Sequence, residues 1–283
     1  MSKRPITLVL ILTATLWCVT VWAQSLQEHH DDILERIEAS PLDEPIHLDS
    51  RDENSELRGE IHALVGHRFD KVSEALGSAA DWCEIIFLHQ NVKACVHADG
   101  DDASELRVYI GRKQFEKPDE ATLVEMAFYL TSIEKDHLEV VLSGDRGPHG
   151  VRDLRMELEA IPSGSDRTLV RFRYALEVGA AGRFAMETYL ATAGRDRVGF
   201  SSVDDNDELV RGVQGMTERN VMRFYLGVQA YLDTLHLPEG ERVEARHEHW
   251  FDLTERYPEQ LRELDKETYL SQKQRERDQQ EAL

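Results

Sequence analysis

Val151-Arg152-Asp153-Leu154-Arg155-Met156-Glu157-Leu158-Glu159-Ala160-Ile161-Pro162, a turn at Ser163-Gly164-Ser165-Asp166-Arg167, then Thr168-Leu169-Val170-Arg171-Phe172-Arg173-Tyr174-Ala175-Leu176-Glu177-Val178: this stretch decides the fold. Leu154, Met156, Leu158 and Ala160 alternate with Asp153, Arg155, Glu157 and Glu159, the period of a strand with one face buried and one in water. Val170, Phe172, Tyr174 and Leu176 repeat the pattern after the turn, with Arg171 and Arg173 opposite. The link is too short for a parallel crossover, so the two strands are antiparallel neighbours. If Phe172 points inward, both arginines point away from the core, where Glu157 or Glu159 on the preceding strand can pair with them.

The same period extends upstream through Leu106, Val108 and Ile110, through Val124, Met126, Phe128 and Leu130, and through Leu138, Val140 and Leu142. A large antiparallel meander is expected. Before it, 57–65 reads as a strand, followed by short helices at 69–76 and ending near Phe87. After it the period changes: 180–190 fits a short helix with Phe184, Met186, Tyr189 and Leu190 as its large nonpolar groups, and 198–200 reads as a brief return to the sheet. Thr217 is the expected cap of a long helix beginning at Glu218, with Val221, Met222, Tyr225, Val228, Leu232 and Leu235 on one face. Leu26, Ile33, Leu34 and Ile37 mark an amphipathic helix within 24–40. The acidic, proline-bearing 41–55 reads as a linker, and 271–283 as a charged, frayed end. The fold class is α+β: a curved antiparallel sheet gripping a long late helix, with further helices at both ends.

This order resembles the START-like, or helix-grip, superfamily. Gly59-Glu60-Ile61-His62-Ala63-Leu64-Val65-Gly66-His67-Arg68-Phe69-Asp70-Lys71-Val72 looks like its first strand running into its first helix, and Asp81-Trp82-Cys83-Glu84-Ile85 like the region after that helix. The blocks 147–153 and 218–226 are similar to blocks in a group of exported bacterial proteins placed in that superfamily. The resemblance covers roughly 57–237 and departs at 180–200. It implies a domain at 57–237, preceded by a helix and linker at 24–56 and followed by a helical extension at 238–283.

Lys3 and Arg4, the apolar run 6–21 and the junction Val21-Trp22-Ala23 have the succession of a cleaved secretory signal over residues 1–23. The run is shorter than the roughly 20 residues a spanning helix needs, and no later segment is continuously apolar. The expected location is periplasmic or otherwise exported, with no transmembrane segment in the mature chain. A formal charge of −21, more negative still without Lys3 and Arg4, excludes ordinary phosphate-backbone binding. Cys83 and Cys95 are expected to form a disulfide in an oxidising compartment, against the alternative of two separate buried thiols.

Helix-grip resemblance implies an apolar cavity between sheet and helix, and hence a lipid or other hydrophobic ligand. The candidate lining is Val108, Phe128, Met156, Phe172, Tyr174, Met222, Tyr225 and Leu232, with Arg219 as a cation for a ligand's polar end. Each has an ordinary reading as core packing. The functional reading is an exported carrier or binding protein with no cofactor. The alternatives are an enzyme acting on a hydrophobic substrate, or a structural or interaction module, with an envelope protein as partner. No nucleophile elbow, His-Glu-x-x-His or phosphate loop is present. His29-His30-Asp31-Asp32, His247-x-His249, and His62, His67, His89 and His97 are read as structural or surface groups, and no metal site is assigned.

Overall fold

A computed structural model describes residues 26–42, 44–53, 55–100, 103–192, 194–203 and 208–283. The expected signal, 1–23, lies outside the described residues. In chain order the elements are α1 (His30–Glu38), β1 (Ile46–Glu53), β2 (Glu56–Val65), α2 (Phe69–Ala75), α3 (Ala79–Phe87), β3 (Val92–Ala98), β4 (Ser104–Ile110), β5 (Thr122–Ile133), β6 (Leu138–Arg146), β7 (Val151–Pro162), β8 (Thr168–Val178), α4 (Ala180–Ala191), β9 (Ser202–Val203), β10 (Glu208–Leu209), α5 (Gly212–Asp233), α6 (Glu239–Thr254), α7 (Pro258–Leu261) and α8 (Lys266–Gln280).

Eight strands form one sheet in the order β1-β2-β8-β7-β6-β5-β4-β3, with every neighbouring pair antiparallel. Period-two alternation fixes the register, because a slip of one residue would turn the apolar row outward. Two rows cross the inner face. One runs Ile61, Phe172, Leu158, Val140, Leu130, and the next Gly59, Tyr174, Met156, Leu142, Phe128. On the outer face Arg173 pairs with both Glu60 and Glu157, and Arg171 with Glu159, as the alternation requires.

Helix α5 covers the inner face. Val221 packs so closely over β2 that a Cβ at Gly59 would stand 2.8 Å from its Cγ1, which is why that row carries glycine where the helix crosses. α3 lies beside α5 and is joined to β3 by the Cys83–Cys95 disulfide, with Cα atoms 5.2 Å apart.

Several expectations are corrected. The 41–55 stretch contains β1, whose polar residues alternate with Ile46 and Leu48 at an exposed edge of the sheet. α5 begins at Gly212, not Glu218. Thr217 is therefore inside the helix, its hydroxyl donating to Val213 O (3.0 Å), and Glu218 is buried rather than placed at a helix end. Val198-Gly199-Phe200 does not rejoin the sheet; β9 and β10 form a separate small hairpin beyond it. Of the charged 271–283, residues 271–280 belong to α8, with Lys273 and Glu276 buried. Trp250, Phe251, Leu253, Leu261 and Tyr269 share the core of 57–237, so 238–283 packs as part of the same body.

Candidate functional site

The structure brings the predicted lining together. Val108, Phe128, Met156, Phe172, Tyr174, Met222, Tyr225 and Leu232 all belong to one apolar cluster between the sheet and α5. They fill it. Trp82 stacks on Phe172 at 6.3 Å, and Tyr174, Phe224 and His89 form a continuous stack with centroids 5.6 Å and 4.8 Å apart. Burial pushes the Tyr174 and Tyr225 hydroxyls up, keeping both neutral. Two concavities lie elsewhere. One of about 10 Å³ sits among Gln90, Trp250, Leu261 and Tyr269, room for a single water at most. The other, about 500 Å³ and open to solvent, lies between α1 and the Pro162-Ser163-Gly164 turn. Neither is lined by a predicted residue.

The apolar inner face nevertheless reaches solvent at one end. In the row Ile61, Phe172, Leu158, Val140, Leu130, the first four side chains are fully buried and Leu130 is 38% exposed. A bulge between Leu130 and Ser132 brings Ile133, opposite Leu138, onto the same face at 56% exposure. Ile133 stands beside the α2–α3 turn, where its Cδ1 would lie 4.0 Å from a Cβ on Gly77. Leu130 was read in the sequence only as part of the alternation, and Ile133 was missed because the bulge breaks the period.

A polar cluster lies under α5. Arg219 is buried, donates from Nη1 to Val198 O (3.0 Å), and is lowered to about 10, by burial first and then by Arg223. Arg223 donates to Leu261 O (3.2 Å) and Glu263 Oε1 (2.7 Å), while Lys113 also pairs with Glu263. Burial opposes ionisation of Glu263, but Arg223 and Lys113 prevail and hold its carboxyl below the usual range. Beside them, burial and then Arg223 push the His89 imidazole well down. The sequence indicated Arg219 and missed Arg223–Glu263, a pair forty residues apart with no shared spacing. It also missed that Glu218 accepts from Phe200 N (2.5 Å), Ser201 N (3.0 Å) and the Ser50 hydroxyl (2.6 Å), tying α5 to β1 and to the segment after α4.

No family profile matches the chain, and no curated protein matches its sequence. Among solved structures it is similar to human StAR-related lipid transfer protein 5 at 10% identity and TM-score 0.38, covering 75% of this chain and 98% of that one. An aromatase/cyclase from Streptomyces sp. R1128 gives 16% identity and TM-score 0.40 over 66% and 93% of the two chains. A START superfamily protein from Mycobacterium smegmatis gives 18% and 0.33 over 53% and 96%. The strand order and the helix laid across the inner face are those of a helix-grip fold, the architecture of the START-like superfamily that the sequence blocks resemble.

Proposed function

We propose that this chain is an exported binding protein or carrier for a lipid or another hydrophobic ligand, admitted between the sheet and α5 past Leu130 and Ile133. The observation that carries the reading is the unbroken apolar row from the buried Ile61 to the exposed Leu130. An apolar ligand meeting that lip finds only apolar surface along the row, so no polar group must be desolvated along its path. The lining side chains are buried, so uptake requires α5 or the α2–α3 turn to move aside. Export rests on Lys3-Arg4, the apolar run and Ala23, and predicts a mature chain beginning at Gln24.

The test is native mass spectrometry of protein taken from its own envelope, which reads both the N-terminus and any retained lipid, followed by fluorescent-lipid uptake. Ile133→Asp places a charge on an exposed side chain, so folding is kept while uptake falls. Glu281→Gln, on an exposed residue far along the chain, leaves uptake unchanged. A charge at Tyr225 would report on folding first, since that side chain is within the filled core. A second reading, an interaction module with no ligand, is favoured by the burial of every predicted lining side chain. Absence of retained lipid and of uptake by the wild type would establish that alternative.

A further inference from the structure

Between α1 and the turn that joins β7 to β8, three side chains form one hydrogen-bonded line. The His30 imidazole meets the Ser163 hydroxyl through Nε2 (3.1 Å) and the Asp31 carboxylate through Nδ1 (2.9 Å). Histidine and serine stand 133 residues apart in the chain, so no sequence motif announces them. The order is the one that nucleophilic serine chemistry needs: a carboxylate on Nδ1 fixes the tautomer that leaves Nε2 able to take the hydroxyl proton. The line opens onto the concavity of about 500 Å³, whose lining includes all three residues together with Gly164. The backbone of Ser163 is held, because its N–H donates to Arg167 O (2.9 Å) and closes the turn. Gly164 follows at φ +84°, a left-handed conformation that glycine adopts freely, and its N–H has no acceptor among the described residues. A second line of the same residue types runs from Ser132 through His137 (2.9 Å) to Glu159 (3.2 Å), but none of these three borders the concavity.

We propose that this is a second site, separate from the interior, which hydrolyses small neutral or cationic carboxylic esters, with Ser163 as nucleophile, His30 as general base and acid, and Asp31 positioning His30. Ser163 Oγ attacks the ester carbonyl carbon while its proton passes to His30 Nε2. The carbonyl oxygen becomes an oxyanion, for which the Gly164 N–H, next in the chain, is the available donor. The bond to the alcohol oxygen then breaks, and the alcohol leaves with the proton from His30 Nε2, its acyl group now on Ser163. Water, deprotonated by the same nitrogen, attacks the acyl group, releases the acid and restores the hydroxyl. Charge selects the substrate. Glu28, Asp31 and Asp32 line the concavity and no Lys or Arg does; Arg167 on the turn and Arg36 on the helix lie outside the lining. An anionic ester is therefore repelled and a cationic one attracted. Asp31 has 97% of its side chain in water, which screens its hold on the imidazole, so turnover is expected to be slow beside that of a site whose acid is buried.

A fluorophosphonate probe should label the purified wild type, and peptide mass spectrometry should place the adduct on Ser163. Two aryl acetates of similar shape, 4-acetoxyphenyltrimethylammonium and 4-acetoxybenzenesulfonate, read the charge preference. After correction for hydrolysis in buffer, the cationic ester should be the faster. Ser163→Ala and His30→Gln should each lower turnover by about 100-fold or more, the usual weight of nucleophile activation and proton transfer. Asp31→Asn should lower kcat by about tenfold with KM unchanged, less than for a buried acid because its carboxylate is in water. Ser132→Ala, in the line away from the concavity, should leave turnover unchanged. All proteins are compared as the same N-terminal species by intact mass, with circular dichroism and melting. If hydrogen exchange shows that His30→Gln releases α1, Ser163→Ala decides, since it keeps both the helix and the imidazole. Absence of labelling and turnover in the wild type, an adduct on another serine, or equal turnover by wild type and Ser163→Ala overturns the proposal.

Discussion

Helices α1 and α8, the first and last helices of the described residues, dock onto the sheet by different physics. α1 uses an apolar stripe: Ile33 and Ile37, with Leu26 from the turn before the helix, join Ile161 and Leu169 in a small cluster separate from the main core, on the outer face. α8 has almost no apolar face. Its side chains instead satisfy the backbone around the sheet-edge strand β3: Gln280 accepts from Cys95 N (2.7 Å), Lys273 donates to Val92 O (2.6 Å), and Tyr269 donates to Leu88 O (2.8 Å). Between helix and strand lies a buried ionic triad in which Glu276 bridges Lys93 (2.8 Å) and Lys273 (3.0 Å). An uncovered edge would be a template for pairing with another chain, and α8 covers it with polar side chains. Apolar docking tolerates imperfect fit, whereas polar docking demands that every member of the network be present.

Breaking the triad should therefore have the largest effect. Glu276→Ala leaves Lys93 and Lys273 facing each other without a carboxylate, and removing one partner of a buried ion pair costs about 3–5 kcal/mol. Burial already holds Lys273 down to about 8, so the variant can recover part of that cost by releasing a proton. Urea unfolding at pH 7 measures the loss. A change no larger than that of an exposed substitution would mean that α8 is not held by its buried charges. Glu276 lies in the stretch read from the sequence as a charged, frayed end, and the structure buries it.

Acid should separate the two ends less sharply. His247, on α6, packs edge-on against Phe87 at 5.7 Å and lies 6.2 Å from the Tyr269 ring of α8. Burial and then Lys273 push it down to about 3. His62, on the outer face of β2, is lowered to about 4, chiefly by burial, against the opposing pull of Glu60. Both are neutral when folded and take a proton near 6.5 when unfolded. The unfolded chain thus binds more protons below pH 6.5, and stability falls as pH drops through the window from 6.5 to each folded value. At about 1.4 kcal/mol per unit, each contributes a loss of roughly 2 kcal/mol by pH 5. Lys273 acts at the other end of the scale. With its folded value depressed, its contribution rises with pH from about 8 towards 10.5. Melting curves of His247→Gln and His62→Gln against pH check the slopes, and unchanged acid sensitivity in both would remove this account.

The same contrast explains what the sequence disclosed. The meander was legible because β4 to β8 each bury one face, and α1 because its isoleucines keep helical spacing. The pairing of Arg171 and Arg173 with Glu159 and Glu157 followed from the alternation, whereas that of Arg173 with Glu60 did not. α8 was not legible: a helix held by Lys, Glu, Gln and Tyr bonds has the composition of a solvated tail, and only the fold shows that its partners are Leu88, Val92, Lys93 and Cys95. β1 was lost because Asp and Ser residues at an edge resemble a linker. At the candidate site, apolar lining could be chosen by period, but no pattern tells a filled core from a cavity, since both use the same residues. Arg223 and Glu263 meet only through the chain's return at α7.

The smallest global effect is expected at α1. Ile37 is buried, and truncating a buried isoleucine to alanine ordinarily costs about 2 kcal/mol or more in a main core. Here the contacts lie in the satellite cluster, on the face of the sheet opposite α5. Two polar ties at this end are His30 Nε2 to the Ser163 hydroxyl (3.1 Å) and Leu26 N to Glu159 (3.2 Å), and the second leaves Glu159 with Arg171 and His137 if α1 departs, so its loss strands no buried charge alone. Ile37→Ala should therefore act by local opening: the sheet stays folded while α1 detaches. Hydrogen exchange should show amides within 30–38 losing protection by about tenfold or more, while strands β5 to β8 keep theirs and global unfolding shifts by less than about 0.5 kcal/mol. A global loss comparable to that of Glu276→Ala would place α1 in the main cooperative unit and erase the distinction between the two terminal helices.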